Sequence, residues 1–170
     1  DVIIKFKEST MIKNIALTAL SLLIIGVAIL GFTYKGNINQ KSEIKDLQGL
    51  TADVYMSPTC GCCRVFESIL SDTGVRTTRI TRDDMSAVKQ QFKVPEELQS
   101  CHTTIIAGYT VEGHIPLEAI SKLITEKPII LGIAMPGMPS GSPGMPGAKS
   151  DSFEIFELND SGNNSIFMTI

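Results

Sequence analysis

The chain has 170 residues, a formal net charge of −3 at pH 7, and a hydrophobic content of 43 %. This length is sufficient for one compact domain with its own core. Because no cluster of lysine and arginine stands out, the composition argues against nucleic acid as a partner.

The first predicted element is an uncharged apolar segment, Ile15–Phe32. As a helix it would span about 27 Å at roughly 1.5 Å per residue, close to the hydrocarbon thickness of a bilayer. A cleaved signal peptide is the alternative, but no small-residue cleavage motif follows the run. The segment is apolar on all faces, which disfavours a buried helix of a soluble domain. We expect residues 1–35 to form an N-terminal tail and a transmembrane anchor, or else a signal segment.

The orientation of this segment depends on its flanks. Lysines precede and follow it in nearly equal number, so the positive-inside rule decides little. Because a short N-terminal tail usually stays in the cytoplasm, we expect a membrane-anchored protein with its main domain outside, in the periplasm or at the cell surface. Residues 36–50 are polar and mixed in charge, which predicts a spacer.

From residue 51 onward the pattern is that of an α/β domain. Residues 51–57 are typical of a short strand. Residues 62–74 carry apolar side chains at helical spacing, and Gly74 suits the C-terminal cap of this helix. Residues 75–81 alternate and are rich in β-branched side chains, which predicts a second strand.

The next elements continue this alternation. Asp83 or Asp84 can cap a second helix over residues 84–93. Two β runs follow in residues 103–114, and a third helix is predicted over residues 116–127, with proline in its first turn. This order, with a cysteine motif after the first strand, is the order of a thioredoxin-like domain.

The C-terminal part differs in composition. Residues 133–150 are dominated by glycine, proline, serine and methionine, which predicts a loop without regular structure. Residues 153–158 and 165–170 flank a polar turn and predict a β-hairpin. The predicted fold is therefore α/β: a thioredoxin-like domain over residues 51–170, with an N-terminal transmembrane helix and a C-terminal β-hairpin.

Three of the four cysteines stand in the stretch CGCC, as Cys60, Cys62 and Cys63. The predicted position of this motif is the start of the first helix. Free N–H groups and partial positive charge at a helix N-terminus stabilise a thiolate and lower the pKa of a cysteine. The fourth cysteine, Cys101, comes about forty residues later.

Three uses of these thiols compete with the one that we favour. An even number of cysteines outside the cytoplasm permits two structural disulfides, although a bond between adjacent cysteines is strained. Cys60 and Cys63 have the C-x-x-C spacing of a dithiol oxidoreductase, in which Cys62 would be a competing partner. A single zinc ion requires a tetrahedron that three sulfurs from four residues can hardly supply.

The favoured use is a cluster of soft ions bridged by thiolates. Cu(I) prefers cysteine sulfur, and sulfurs shared among several Cu(I) ions suit closely spaced thiolates. Cys101 directly precedes the strand after the second helix, a position that faces the cysteine motif in a thioredoxin-like fold. We therefore expect the sulfur of Cys101 to complete a multinuclear Cu(I) site.

Four stretches, CGCC, VPEELQSCHT, GYTVEGHIP and MPGMPSGSPGM, together resemble the CopG-like family of copper-resistance proteins. The resemblance covers roughly residues 52–147. It implies a periplasmic or membrane-anchored thioredoxin-like protein that handles copper and holds several Cu(I) ions on four cysteines. The ligands that it implies are Cys60, Cys62, Cys63 and Cys101.

The resemblance also implies further candidate metal ligands: His102, His114, Met135, Met138 and Met145. The two histidines could be outer or exchange ligands, or simply a hydrogen-bonding residue near a strand start and a turn residue. Methionine is often a core filler, but these three lie in a Gly/Pro loop, and a thioether is a soft ligand for Cu(I). The loop would then act as a lid or as a copper-exchange arm.

These observations favour a copper-binding protein over an enzyme. A thiol–disulfide oxidoreductase that uses Cys60 and Cys63 stays as the alternative. His102 weighs against it, because such enzymes usually carry a cis-proline at this position. The expected partners are copper ions, proteins that export or carry copper, and the membrane through the N-terminal helix.

Overall fold

The computed structural model describes residues 46–160, 162 and 165–170. These residues form a mixed α/β domain with one seven-stranded sheet and three α-helices. The elements in chain order are β1 (Thr51–Met56), α1 (Gly61–Asp72), β2 (Arg76–Thr81), α2 (Met85–Gln91), a 3₁₀ turn (Glu96–Leu98), β3 (His102–Ile106), β4 (Tyr109–Glu112), α3 (Leu117–Glu126), β5 (Gly132–Ala134), β6 (Glu154–Leu158) and β7 (Ile166–Thr169). The predicted order of strands and helices through α3 is confirmed, as is the C-terminal hairpin.

The predicted transmembrane segment, Ile15–Phe32, lies outside the described residues, as does most of the predicted spacer. Among the residues that the structure does describe, none of the helices has the length and apolar character needed to span a bilayer. The anchor and its orientation stay predictions.

One local expectation is wrong. The composition predicts irregular structure from residue 133, whereas Gly132–Ala134 form β5 between β4 and β6. All three residues are buried, so the strand lacks the alternation of polar and apolar side chains that would reveal it. At Gly132 a Cβ atom would collide with the backbone of Thr110 on β4, so glycine permits this close pairing.

The sheet has the strand order β2-β1-β3-β4-β5-β6-β7. β1 is parallel to β2 and antiparallel to β3, β3 and β4 are antiparallel, and β4 is parallel to β5. In this register Met56 pairs with His102, and Glu112 pairs with both Thr103 and Ala134. Four chain segments therefore meet at one end of the sheet: those after β1, before β3, after β4 and after β5.

The main core lies between the sheet and the pair of helices α1 and α3. Phe66 and Leu70 of α1 and Ile120 and Leu123 of α3 are fully buried in it. Burying a side chain of this size contributes about 1.5–3 kcal/mol, so these contacts hold α1 firmly on the sheet. Because strand side chains alternate in direction, the neighbours of the core residues face α2 on the opposite side of the sheet. The first turn of α1 is thereby fixed above the end of the sheet where the four segments meet.

Candidate metal centre

The cysteine motif occupies the first turn of α1, as predicted. Cys60 is the N-terminal cap of this helix, and its Sγ accepts a hydrogen bond from the backbone N–H of Cys63 at 3.3 Å. Cys63 is fully buried, whereas Cys60 and Cys62 are half-buried. The helix N-terminus therefore presents its sulfurs partly to the core and partly to solvent.

Cys101 lies beside this motif, which confirms the predicted proximity. Its Sγ is 4.0 Å from the Sγ of Cys62, which in turn is 3.5 Å from the Sγ of Cys60. The four sulfurs all lie within 4.8 Å of one another. The cause is the register of β1 and β3, which pairs Met56 with His102 and so brings the residue before β3 next to the turn after β1.

Two of the four cysteines form a disulfide. Cys60 and Cys63 are bonded, with their Cα atoms 5.4 Å apart, while Cys62 and Cys101 are free thiols. A sulfur in a disulfide is not a thiolate ligand, so all four donors become available only when this bond is reduced.

His114 is oriented from both sides of its ring. Its Nδ1 lies 2.7 Å from the carbonyl oxygen of Pro143, and its Nε2 lies 2.8 Å from the Sγ of Cys101. A carbonyl oxygen can only accept, so Nδ1 carries the proton and donates it. Burial lowers the pKa of His114, although the bond to Pro143 opposes this shift. The neutral ring therefore directs the lone pair of Nε2 toward the sulfur of Cys101.

The thiol of Cys101 is protonated in the absence of a metal ion. Burial, and next to it the neighbouring thiol of Cys62, raise the pKa of Cys101 to about 12. The S–H group then donates to Nε2 of His114, which accepts. A metal ion bound here would take the place of that proton, because the thiolate is the form that binds metals.

His102 is placed differently. Its ring is fully buried and its Nδ1 is 3.5 Å from the Sγ of Cys101. Its Nε2 has no hydrogen-bond partner among the described residues. The ring of Phe66 lies 4.4 Å from it between centroids, and burial, His114 and Lys89 hold the pKa of His102 well below its usual range. His102 is thus a neutral, packed side chain that lies against the sulfur of Cys101.

The three candidate methionines have different surroundings. Met135 is buried in the main core, Met138 is largely exposed, and Met145 is half-buried. Their role as metal ligands stays a prediction. The loop that carries them does contact the motif, because a Cβ atom at Gly144 would lie 2.8 Å from the carbonyl oxygen of Cys62.

Three residues around the site are not among the candidates that the sequence predicts, although each lies within one of the four stretches that resemble the CopG-like family. Pro143 orients His114 through its carbonyl oxygen. Ser100 and Glu112 are hydrogen-bonded to each other next to Cys101. The signal that the sequence offers for Glu112 is a charged side chain at the end of a short predicted strand, two residues before the candidate ligand His114.

Comparison with known proteins adds three findings. Residues 98–145 match a family model described as a protein of unknown function, DUF411. Two solved structures, "Copper resistance protein copG- Form 1" and "Copper resistance protein copG- Form 2", each match with 41 % sequence identity and a TM-score of 0.66. Each match covers 71 % of this chain, and 97 % and 98 % of the respective matched chains. No curated protein sequence matches the chain.

Proposed function

This chain belongs to the family of CopG copper resistance proteins, and on that premise we propose that it binds several Cu(I) ions through four thiolates. The cysteine cluster and the related structures support a copper-related role. The binding of several Cu(I) ions by four thiolates is supported by one observation. Four sulfurs from two separate segments lie within 4.8 Å of one another.

The spacing of the sulfurs allows them to share ions. With a metal–sulfur bond of about 2.3 Å, as in zinc thiolates, one ion joins two sulfurs up to roughly 4.6 Å apart. The separations of 3.5 Å from Cys60 to Cys62 and of 4.0 Å from Cys62 to Cys101 are within this limit. Because Cys62 has a neighbour on each side, its sulfur can bridge two ions. Soft thiolates without carboxylates favour Cu(I) over harder ions.

Of the two candidate histidines, His114 has the arrangement that is expected of a metal ligand. A metal-binding histidine almost always donates its other ring N–H to a carboxylate, a backbone carbonyl or water, which fixes the ring. His114 has this arrangement through Pro143, and its Nε2 points to the cluster. His102 has no such partner among the described residues, so we assign it a packing and hydrogen-bonding role next to Cys101.

The same proposal includes a thioredoxin-like fold. The order β1-α1-β2-α2-β3-β4-α3, with β2-β1-β3-β4 adjacent in the sheet, supports it. The start of α1 after β1 and the residue before β3 are the places where such domains carry their chemistry. The strands β5, β6 and β7 extend the sheet beyond this unit.

We further propose that the protein is anchored in a membrane through Ile15–Phe32, with the copper domain outside the cytoplasm. The support is the length and uncharged character of this segment in the sequence. Alkaline extraction of membranes from cells that produce the chain tests the anchor. We expect the protein to stay in the membrane pellet, and its release into the soluble fraction would contradict the proposal.

The number of bound ions tests the copper site directly. The reduced protein, titrated anaerobically with Cu(I) against a chromophoric chelator, should bind more than one copper ion per chain. Binding should produce the ultraviolet absorption of copper–thiolate charge transfer. Without prior reduction the number of bound ions should fall, because the disulfide between Cys60 and Cys63 removes two donors. A limit of one ion in the reduced protein would exclude the multinuclear site.

A thiol–disulfide oxidoreductase is the second candidate, and the Cys60–Cys63 disulfide favours it. In that reaction a dithiol donates two electrons and two protons, the disulfide opens to two thiols, and the donor leaves as a disulfide. Metal-free protein would then reduce insulin at the expense of a small dithiol. Cys62, whose sulfur is 3.5 Å from that of Cys60, would compete with the substrate. Lack of insulin reduction together with copper binding would select the copper function.

A further inference from the structure

A buried ion pair lies next to the segment that carries Cys101. Glu112, the last residue of β4, has a fully buried side chain, and the Lys89 side chain that reaches it from α2 is 6 % exposed. The Nζ of Lys89 donates to Oε1 of Glu112. Removing two charges from water is costly, and such a pair is weak evidence for stability.

The carboxylate of Glu112 holds both ends of one short segment. Its Oε1 also accepts the backbone N–H of Ser100 at 2.7 Å, and its Oε2 accepts the hydroxyl of Thr103 at 2.6 Å. Ser100 and Thr103 are the two residues that flank Cys101 and His102. One side chain thus clamps the segment that brings the fourth sulfur to the cluster.

The segment is also held from its other side by the two residues that follow Glu112. The N–H of Gly113 donates to the carbonyl oxygen of His102 at 2.9 Å, and His114 contacts the sulfur of Cys101. Three consecutive residues at the end of β4 therefore bond three parts of the segment: its two ends, its middle and its sulfur.

We propose that Glu112, with its charge balanced by Lys89, is a positioning residue that keeps the sulfur of Cys101 within reach of the shared copper ions. This inference rests on the proposed copper site. The sulfurs of Cys62 and Cys101 are 4.0 Å apart. One ion can join sulfurs up to roughly 4.6 Å apart, so a shift of less than an ångström breaks the bridge. Glu112 itself makes no hydrogen bond to any of the four sulfurs among the described contacts and acts through Ser100 and Thr103.

Two double variants separate this role from a purely structural one. Lys89→Met with Glu112→Leu removes both charges and the bonds to the segment. Lys89→Met with Glu112→Gln also removes both charges, but the amide oxygen can still accept from Ser100 and the amide nitrogen can donate to Thr103. Replacing a buried ion pair by apolar groups of similar volume is often neutral for stability. The matched pair therefore differs in the hydrogen bonds to the Cys101 segment.

The first measurement uses no copper. In the reduced, metal-free full chain, the alkylation rate of Cys101 by iodoacetamide is followed by mass spectrometry of the peptide that contains it. The Met/Leu variant should react at least several-fold faster than the wild type, because the segment is released. The Met/Gln variant should react at the rate of the wild type.

The second measurement is the affinity for Cu(I) in a competition with a chromophoric chelator. The affinity of the Met/Leu variant for Cu(I) should be about 10- to 100-fold lower than that of the wild type. This is the range found when groups that orient metal ligands are removed. The Met/Gln variant should retain the affinity of the wild type. Equal behaviour of the two variants in both measurements would overturn the proposal.

The alkylation rates are measured without copper and so do not depend on whether the protein binds copper. A wild-type chain that binds no copper would refute the copper site, while the alkylation rates would still decide whether Glu112 positions the segment. If the Met/Leu variant does not fold, Thr103→Val is the substitute, because it is isosteric and removes the bond to Oε2 of Glu112. It should also accelerate alkylation of Cys101, and an unchanged rate would overturn the proposal.

Discussion

Cys101→Ser should reduce the copper content of the reduced protein to at most one weakly held ion per chain. Serine has nearly the shape of cysteine and can keep the hydrogen bond to His114, so the fold should persist. Its hydroxyl stays protonated at neutral pH and its oxygen is a poor ligand for Cu(I), which prefers thiolates and thioethers. We expect a loss of apparent affinity of at least about 100-fold, more than the removal of an orienting group causes. Anaerobic titration with chelator competition measures it.

His114→Gln is the matched control for this variant. It leaves all four sulfurs in place and removes the imidazole that contacts Cys101. The number of bound ions should remain that of the wild type, because all four sulfurs are kept, while the affinity for Cu(I) should fall by at least about 10-fold, the smallest loss found when a group that orients a ligand is removed. If Cys101→Ser binds as many copper ions as the wild type, the four-thiolate site is wrong, whatever the histidine variant shows.

Gly113→Ala should both destabilise the fold and disturb the site. Gly113 has a φ of +85°, and a Cβ atom there would lie 2.7 Å from the carbonyl oxygen of Met135 and 2.7 Å from the side chain of Ser100. The left-handed backbone alone costs about 1–2 kcal/mol for a residue with a Cβ atom. Overpacking against a rigid neighbour adds roughly 1–3 kcal/mol. We expect the free energy of unfolding, measured with urea on the metal-free protein, to fall by the sum of these two contributions, about 2–5 kcal/mol.

The chain offers a control that separates the two contributions. Gly108 in the turn between β3 and β4 has a φ of +86°, but a Cβ atom there would meet nothing within 4 Å. Gly108→Ala should therefore lose the backbone contribution of about 1–2 kcal/mol and keep its copper affinity. Equal losses in the two variants would mean that Ser100 and Met135 do not constrain Gly113, and that the packing around Cys101 is looser than the structure shows.

Much of the fold follows from the sequence, because its elements between residues 51 and 126 are periodic. Helical spacing marks α1, β-branched alternation marks β2, and Asp84 caps α2 with hydrogen bonds to Ser86 and Ala87. The proximity of Cys101 to the CGCC motif also follows, because the order of the elements fixes which strand ends are neighbours. These predictions depend on local patterns and on topology alone.

The finer details of the site depend on contacts between distant residues. The pairing of His114 with Pro143 and the clamp of Glu112 on Ser100 join residues whose types carry no mutual signal. The sequence does not reveal β5, because its three residues are all buried and show no alternation of polar and apolar side chains. The sequence also presents His102 and His114 as equivalent candidate metal ligands. Their hydrogen bonds distinguish them, because Nδ1 of His114 donates to Pro143 whereas Nε2 of His102 has no partner among the described residues.

The meeting of four chain segments at one end of the sheet links copper to folding. An unfolded chain has CGCC as a local thiol group, but Cys101 and His114 join it when β3 and β4 pair with their neighbours. A ligand that binds the native chain more tightly than the unfolded chain raises the free energy of unfolding, by an amount that grows with its concentration relative to its dissociation constant. The copper-bound protein should therefore unfold at a higher temperature than the metal-free protein. Unfolding would in turn release the bound copper.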